Sequence, residues 1–332
     1  MDRVHQEFTA ALRKVPAIVV GILKEGEAEV VALGTVAEEP RPSSLGWEIG
    51  SISKDFTGLL LADMSIRGEV KLDDPIGIHL PNQVAGRLPD PSLQPTLTDL
   101  ATHTAGFPRL PMSIYRIAKR SDDPYSQLTE VDVYAYLGPK TKRPRRRQPR
   151  YSNYGMGLLG HVLAGAAEKP YAALIEERIL GPLGMTATRI GGCGEGTAPV
   201  QGFRKGKPTP PWTFGALEAA GGLRSTITDL VTFAGACIDP PAGALGDALR
   251  MTRGPFHRSR LPSGSMALGW MLRSHPKRTG SATWHNGGTH GASSFLAIDP
   301  GLSQAVVACG NVGPGLHAPL DRPAWAVFDS LS

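Results

Sequence analysis

Ser51 and Lys54 stand three residues apart in Ile49-Gly50-Ser51-Ile52-Ser53-Lys54-Asp55-Phe56-Thr57-Gly58, where the chain turns into a helix. Positions i and i+3 share one helix face, with Cβ atoms roughly 5–6 Å apart, so an amine at 54 reaches a hydroxyl at 51. Removing that proton turns a weak hydroxyl into a nucleophile. The competing use of Ser51 is as a helix cap, satisfying a free backbone N–H. Phe56, Leu59, Leu60 and Met64 recur at helical spacing, which predicts a helix with one face in a core and a stop at Gly68. A second Ser-x-x-Lys, Ser274-His275-Pro276-Lys277, carries proline between two strand-like runs and is set aside.

Two more segments accompany the pair. Tyr151-Ser152-Asn153 opens a loop-to-helix passage, and Trp284-His285-Asn286-Gly287-Gly288-Thr289-His290-Gly291 ends a strand-like run near the C-terminus. In isolation Tyr151 reads as a core aromatic, Asn153 as a cap and His103 as a structural hydrogen bonder. The order Ser-x-x-Lys, Tyr-x-Asn, His-x-Gly resembles the serine β-lactamase and penicillin-binding-protein superfamily. It is most similar to the branch of class C β-lactamases, D-aminopeptidases and related esterases and acyltransferases. The words Leu72-Asp73-Asp74-Pro75-Ile76, Leu100-Ala101-Thr102-His103-Thr104-Ala105-Gly106-Phe107-Pro108 and Gly221-Gly222-Leu223-Arg224-Ser225-Thr226 agree, and the likeness spans about residues 15–312.

That resemblance implies catalytic roles for Ser51, Lys54, Tyr151, Asn153 and His285, with Asn153 orienting the lysine and the substrate. The backbone amides of Ser51 and Gly288 form the implied oxyanion hole, and glycines such as Gly287 let the strand approach the substrate. His290, among glycines near the site, reads either as a substrate contact or as a turn residue, and Arg150, ending a basic run immediately before Tyr151, reads as a candidate substrate-binding residue at the mouth of the site. Either Lys54 or Tyr151 acts as base. A free phenol titrates near pH ~10, so useful basicity near neutrality needs a shift of about 3 units, or about 4 kcal/mol. One ammonium about 4 Å away supplies energy of that order at an effective dielectric near 20. Classical β-lactamases carry lysine where His285 stands. Histidine, with a pKa near ~6.5, is about a quarter charged at pH 7, so the grip on a substrate carboxylate is expected to be weakened.

The elements that must bring these residues together follow from the 332-residue sequence. An amphipathic helix over 3–14 precedes strand-like runs at 17–23 and 28–33, joined by a hairpin turn. Helices are predicted at 98–103, 115–136, 155–167, 171–180 and 228–237, strands at 266–273, 282–286, 293–299 and 304–309, and a closing helix at 325–331. Strands cluster at both ends and helices lie between. The expected fold is thus α/β (α+β), β-lactamase/transpeptidase-like: an antiparallel sheet from both termini, flanked by helices. One catalytic domain is expected, divided into an α/β part (about 1–60 and 216–332) and a mainly helical part (61–215).

Composition bounds the function. With 41% hydrophobic and 20% charged residues the chain is ordinary globular material, and its longest apolar run, 17–23, is too short to span a bilayer. The charged start Met1-Asp2-Arg3-Val4-His5-Gln6-Glu7 lacks the apolar stretch of a signal peptide, so a cytoplasmic location is expected if Met1 is the natural start. Cys193, Cys237 and Cys309 have no metal-ligand spacing, and no metal or cofactor is implied. Seven of the 35 basic residues lie at Lys140, Lys142, Arg143, Arg145, Arg146, Arg147 and Arg150, leaving 28 basic against 30 acidic elsewhere. This run reads either as a solvated loop or as a rim that attracts an anionic substrate. It lacks the interleaved aromatics of a nucleic-acid site. The expected partners are a small-molecule acyl donor, with water, an amine or an alcohol as acceptor. The expected activity is that of an esterase or transacylase of small-molecule, specialised metabolism; a β-lactamase or D-amino-acid peptidase, or a non-catalytic sensor of acyl compounds, are the alternatives.

Overall fold

A computed structural model of the protein describes all residues except 1, 120, 146–147, 258–264, 275–280, 315–317 and 332. Lys277 of the discarded Ser-x-x-Lys lies outside the described residues, as do Arg146 and Arg147. Among those described, no helix is long and apolar enough to cross a membrane.

Six strands make the central sheet: β1 (Ala17–Lys24), β2 (Glu27–Gly34), β3 (Met271–Ser274), β4 (Ser281–Gly288), β5 (Ser293–Asp299) and β6 (Gln304–Gly310). Their spatial order is β2-β1-β6-β5-β4-β3, antiparallel throughout. The β1–β2 hairpin turns on Glu25 and Gly26, both with positive φ, which matches the right-handed twist of the flanking strands. The two ends of the chain meet directly where Ile18 pairs with Gly310.

Strands β1, β5 and β6 read as continuous apolar runs because both faces of the sheet are covered. On one face, helices α1 (Asp2–Leu12) and α6 (Asp321–Ser330) pack Val4, Phe8 and Phe328 against Ile18, Val20, Phe295 and Val306. On the other, α2 (Ser53–Ile66) and α4 (Ile227–Ile238) meet Val19, Leu23, Leu296 and Val307, with Phe56 stacked on Phe233 at 4.3 Å. Helices α3 (Asn153–Ala167) and α5 (Ala244–Thr252) complete the surroundings of α2.

Helix α2 departs from the amphipathic expectation. Every residue from Ser53 to Met64 is buried, so the helix runs through the core instead of lying on it. The continuous helix expected over 115–136 is also broken. Met112–Ala118 and Glu130–Ala135 are separate, interrupted at Pro124 and restarted by a capping box in which Thr129 and Asp132 exchange hydrogen bonds. The strand expected over 266–273 is regular only from Met271 to Ser274.

Strand β4 ends where α2 begins. A Cβ on Gly287 would lie 2.0 Å from the Ile49 carbonyl oxygen, and one on Gly50 would lie 2.6 Å from the Gly288 nitrogen. Gly50 also has φ +51°, so side chains are excluded there on two counts. Gly287→Ala should therefore force the two backbones apart and lower unfolding stability by about 1–3 kcal/mol, as overpacking does. Urea denaturation followed by circular dichroism measures this; a wild-type midpoint would show that the 49–50 and 287–288 segments have slack.

Candidate active site

Ser51 lies in a 3₁₀ turn, Gly50–Ile52, that leads into α2. The turn is fixed upstream by the short strand Trp47–Glu48, which pairs with Leu223–Ser225, and downstream by the buried helix. Lys54, near the start of α2, has no solvent exposure. Its Nζ is 2.9 Å from Ser51 Oγ and donates to the Ala220 carbonyl at 2.5 Å. Burial holds the Lys54 amine well below its usual pKa, and the nearby Arg109 charge adds to the effect. Asp55 opposes the shift only weakly, since burial keeps its own carboxyl well above the normal range.

Tyr151 precedes the N-terminus of α3, which is capped by Ser152: its Oγ accepts from Gly155 N at 2.8 Å and donates to the Pro108 carbonyl at 2.7 Å. His103 acts as the expected structural bonder. Its Nδ1 accepts from Ser152 N at 3.3 Å, its carbonyl accepts from Arg150 N at 2.8 Å, and its ring lies 4.6 Å from that of Tyr151. These bonds hold the phenol beside Ser51, with which it interacts, and Lys54 Nζ lies 4.9 Å from the ring centre.

The electrostatics reverse one expectation. A charged lysine was to lower the tyrosine pKa; instead burial raises Tyr151, and the main cause is desolvation of the phenolate. The same desolvation disfavours the charged form of the amine that would have supplied the field. His285 is corrected in the same direction. It is fully buried on β4, its Nδ1–H donates to the Asn286 carbonyl at 2.6 Å, and burial pushes its pKa down to about 3. The ring is therefore neutral at pH 7, not a quarter charged. Its Nε2 is buried without a partner, and the ring centre lies 6.0 Å from that of Tyr151.

Asn153 is the first residue of α3, and its Nδ2 donates to the Tyr125 hydroxyl at 3.2 Å. Its Oδ1 is buried with no partner among the described residues. The resemblance assigned it to hold Lys54, but that amine bonds to Ser51 and Ala220. The glycines behave as the close backbone approach requires, with Gly287 and Gly288 laid against Ile49 and Gly50. Glu48 fixes this junction by accepting from Trp212 N at 2.7 Å and from Thr289 Oγ1 at 3.2 Å.

His290 stands one layer away. Its Nδ1–H donates to the Asp122 carbonyl at 2.9 Å, and its ring is 4.7 Å from Trp212, which in turn packs 5.3 Å from Tyr125. A cavity of about 480 Å³ opens between Leu110, Tyr115, Lys119, Asp122, Tyr125 and His290. Arg150 is not drawn in, because only its backbone is engaged and its side chain is exposed. Within the basic run Arg143 is structural, paired with the buried Asp99 and donating to Thr96 Oγ1 at 3.2 Å.

Two neighbours of the site were not singled out in the sequence. Ala220 precedes a Gly-Gly word, and only its carbonyl acts, so no side-chain type could mark it. Arg109 follows Gly106-Phe107-Pro108 and places its guanidinium carbon 5.2 Å from the Tyr151 ring centre. Among the described residues, no group of three or more His, Cys, Asp or Glu side chains could hold a metal ion.

The chain is similar to known proteins along most of its length. A β-lactamase of Escherichia coli K12 is 25% identical over 99% of this chain and 93% of its own, and one of Pseudomonas fluorescens is 26% identical over 85% and 74%. The E. coli D-alanyl-D-alanine-carboxypeptidase/endopeptidase AmpH is 36% identical over 42% of this chain and 35% of its own. The fold superposes on the crystal structure of a class C β-lactamase from Rhodobacter sphaeroides with a TM-score of 0.84 at 22% identity, covering 100% of this chain and 99% of that one. The family described as Beta-lactamase matches residues 4–327, and with the match running through both halves of the sheet and the site between them, this chain belongs to that family.

Proposed function

We propose that the protein is a serine acyl-enzyme catalyst that takes an ester or amide of a small molecule and passes the acyl group to water or to an amine or alcohol. The observation that carries this reading is the Lys54 amine, buried and depressed in pKa, 2.9 Å from Ser51 Oγ. A buried lysine deprived of its charge is a base, whereas a solvated ammonium is only a donor.

In the proposed reaction the Lys54 lone pair accepts the Ser51 proton as Oγ attacks the carbonyl carbon. The oxyanion forms between the N–H groups of Ser51 and Gly288, donors that need no reorganisation when charge develops. The bond to the leaving group then breaks. The proton taken from Ser51 is delivered to the departing nitrogen or oxygen, with the neutral Tyr151 phenol as relay, leaving the acyl group on Oγ. Water, amine or alcohol attacks the acyl-enzyme, gives its proton to the same pair and restores Ser51. The unpartnered Asn153 Oδ1 is suited to accept an N–H or O–H from the bound substrate.

Burial lowers the pKa of Lys54 and raises that of Tyr151, which favours Lys54 over the Tyr151 phenolate as the general base in this scheme. His285, neutral on β4, gives no cation there for an antibiotic carboxylate, which favours an esterase or transacylase over a dedicated β-lactamase. The β-lactamase reading is kept by the full-length similarity to two proteins of that name.

Ser51→Ala should abolish the mass increase seen after incubation with a fluorophosphonate or activated ester while leaving the circular dichroism unchanged. An adduct in the variant would remove Ser51 from its role, and a wild-type protein that binds acyl compounds without any adduct would be a sensor. Screening ester donors with and without amines, beside a chromogenic β-lactam, separates hydrolase, transacylase and β-lactamase. The pH dependence has a definite sign. Activity requires unprotonated Lys54, so kcat/KM should rise with pH along a limb centred below the usual lysine value of about 10.4. A limb at or above that value would contradict a neutral amine. Lys54→Arg keeps a permanent charge and should slow acylation by roughly 10²–10⁴-fold, measured by stopped-flow release of a chromogenic leaving group; near-wild-type rates would shift the base to another group.

A further inference from the structure

We propose that Arg109 is the anion receptor of this site and that the preferred acyl donor carries a carboxylate on the part of the molecule that faces the Phe107–Arg109 loop. The proposal rests on the acyl-enzyme reading above and adds a substrate class to it. Three observations lead there.

The first is position. The guanidinium carbon of Arg109 lies 5.2 Å from the centre of the Tyr151 ring, whose phenol interacts with Ser51. Arg109 is thus one side chain away from the nucleophile. Its backbone is fixed as well, since its carbonyl accepts from Tyr154 N at 3.2 Å at the start of α3.

The second is that the guanidinium is exposed and unspent. No hydrogen bond or ion pair joins it to any described residue, and its only close partner is the aromatic face. An arginine resting on an aromatic ring retains its planar fork of N–H donors, which matches a carboxylate in two parallel bonds.

The third is exclusion. Lys54 and His285, basic groups near Ser51, are fully buried, and burial disfavours the charged form of each. Arg143 is paired with Asp99, Arg204 lies 3.5 Å from Asp122, and the exposed Arg150 engages His103 through its backbone. Among the described residues, Arg109 is the one uncommitted cation beside the reacting groups. The anion site has in effect moved from the β4 side of the cleft, where His285 carries no charge, to the opposite loop. Leu110, next in sequence, lines the 480 Å³ cavity that reaches Tyr125 and His290, leaving room for the remainder of such a donor.

The test compares p-nitrophenyl hemiglutarate with p-nitrophenyl valerate, which share acyl length and leaving group but differ in charge. Relative to wild type, Arg109→Gln should lower the hemiglutarate-to-valerate ratio of kcat/KM at least tenfold, chiefly through KM, and Arg109→Lys should recover part of it. Equal losses on both esters, or a ratio that falls in Arg150→Gln but not in Arg109→Gln, would overturn the inference. A Ser51→Ala background reads the anion site without turnover: calorimetric titration with glutarate should give binding that Arg109→Gln weakens at least tenfold, and absent or equal binding overturns it. If neither ester acylates the wild type, the acyl-enzyme reading fails by itself and the glutarate titration still decides Arg109.

Discussion

The removal of Lys54 from water is the constraint on which the rest of the site depends. An ammonium inside a protein carries a desolvation penalty on the order of several kcal/mol, and the charge persists only with excellent partners. Here the amine meets a serine hydroxyl and a backbone carbonyl, while burial raises the adjacent Asp55 carboxyl well above its usual range. Both shifts run towards the uncharged forms. The core of α2, packed on all sides from Ser53 to Met64, is therefore part of the chemistry as well as of the fold.

Burial acts on the whole cluster in one sense, towards neutrality. Tyr151 is kept as a phenol, and His103 and His285 as imidazoles. A net-neutral pocket next to one exposed guanidinium differs from a pocket lined by fixed cations. On the proposal above, charge recognition belongs to the Phe107–Arg109 loop and not to β4. Family membership alone does not determine such a distribution, because one fold hosts sites of different chemistry.

Much of this was legible in the sequence because it is written in side-chain types at local spacing. Ser51 and Lys54 are three apart, the Gly287-Gly288 pair announces a close backbone approach, and the strand-like runs at both ends pair into one sheet as their apolar character implies. What escaped was set by surroundings. The sign of the Tyr151 shift depends on how completely the site is dried, which no spacing reveals. Ala220 works through its carbonyl. Clustering draws attention to 140–150, whereas the approach of Arg109 to the Tyr151 ring is a three-dimensional property that no run of charge marks. The all-round burial of α2 was hidden by its polar residues, since Lys54, Asp55, Thr57 and Asp63 suggest a solvent face that the packed helix lacks.

The junction of Ile49–Gly50 with Gly287–Gly288 ties the nucleophile to a segment more than 230 residues downstream. Contacts of such long range form late, after the entropy of closing a very large loop has been overcome. During synthesis, then, Ser51 emerges early but meets Gly288 only once strand β4 has been made and docked. On the proposed mechanism the polypeptide would stay chemically silent while it is being built, with reactivity arriving only with the finished architecture.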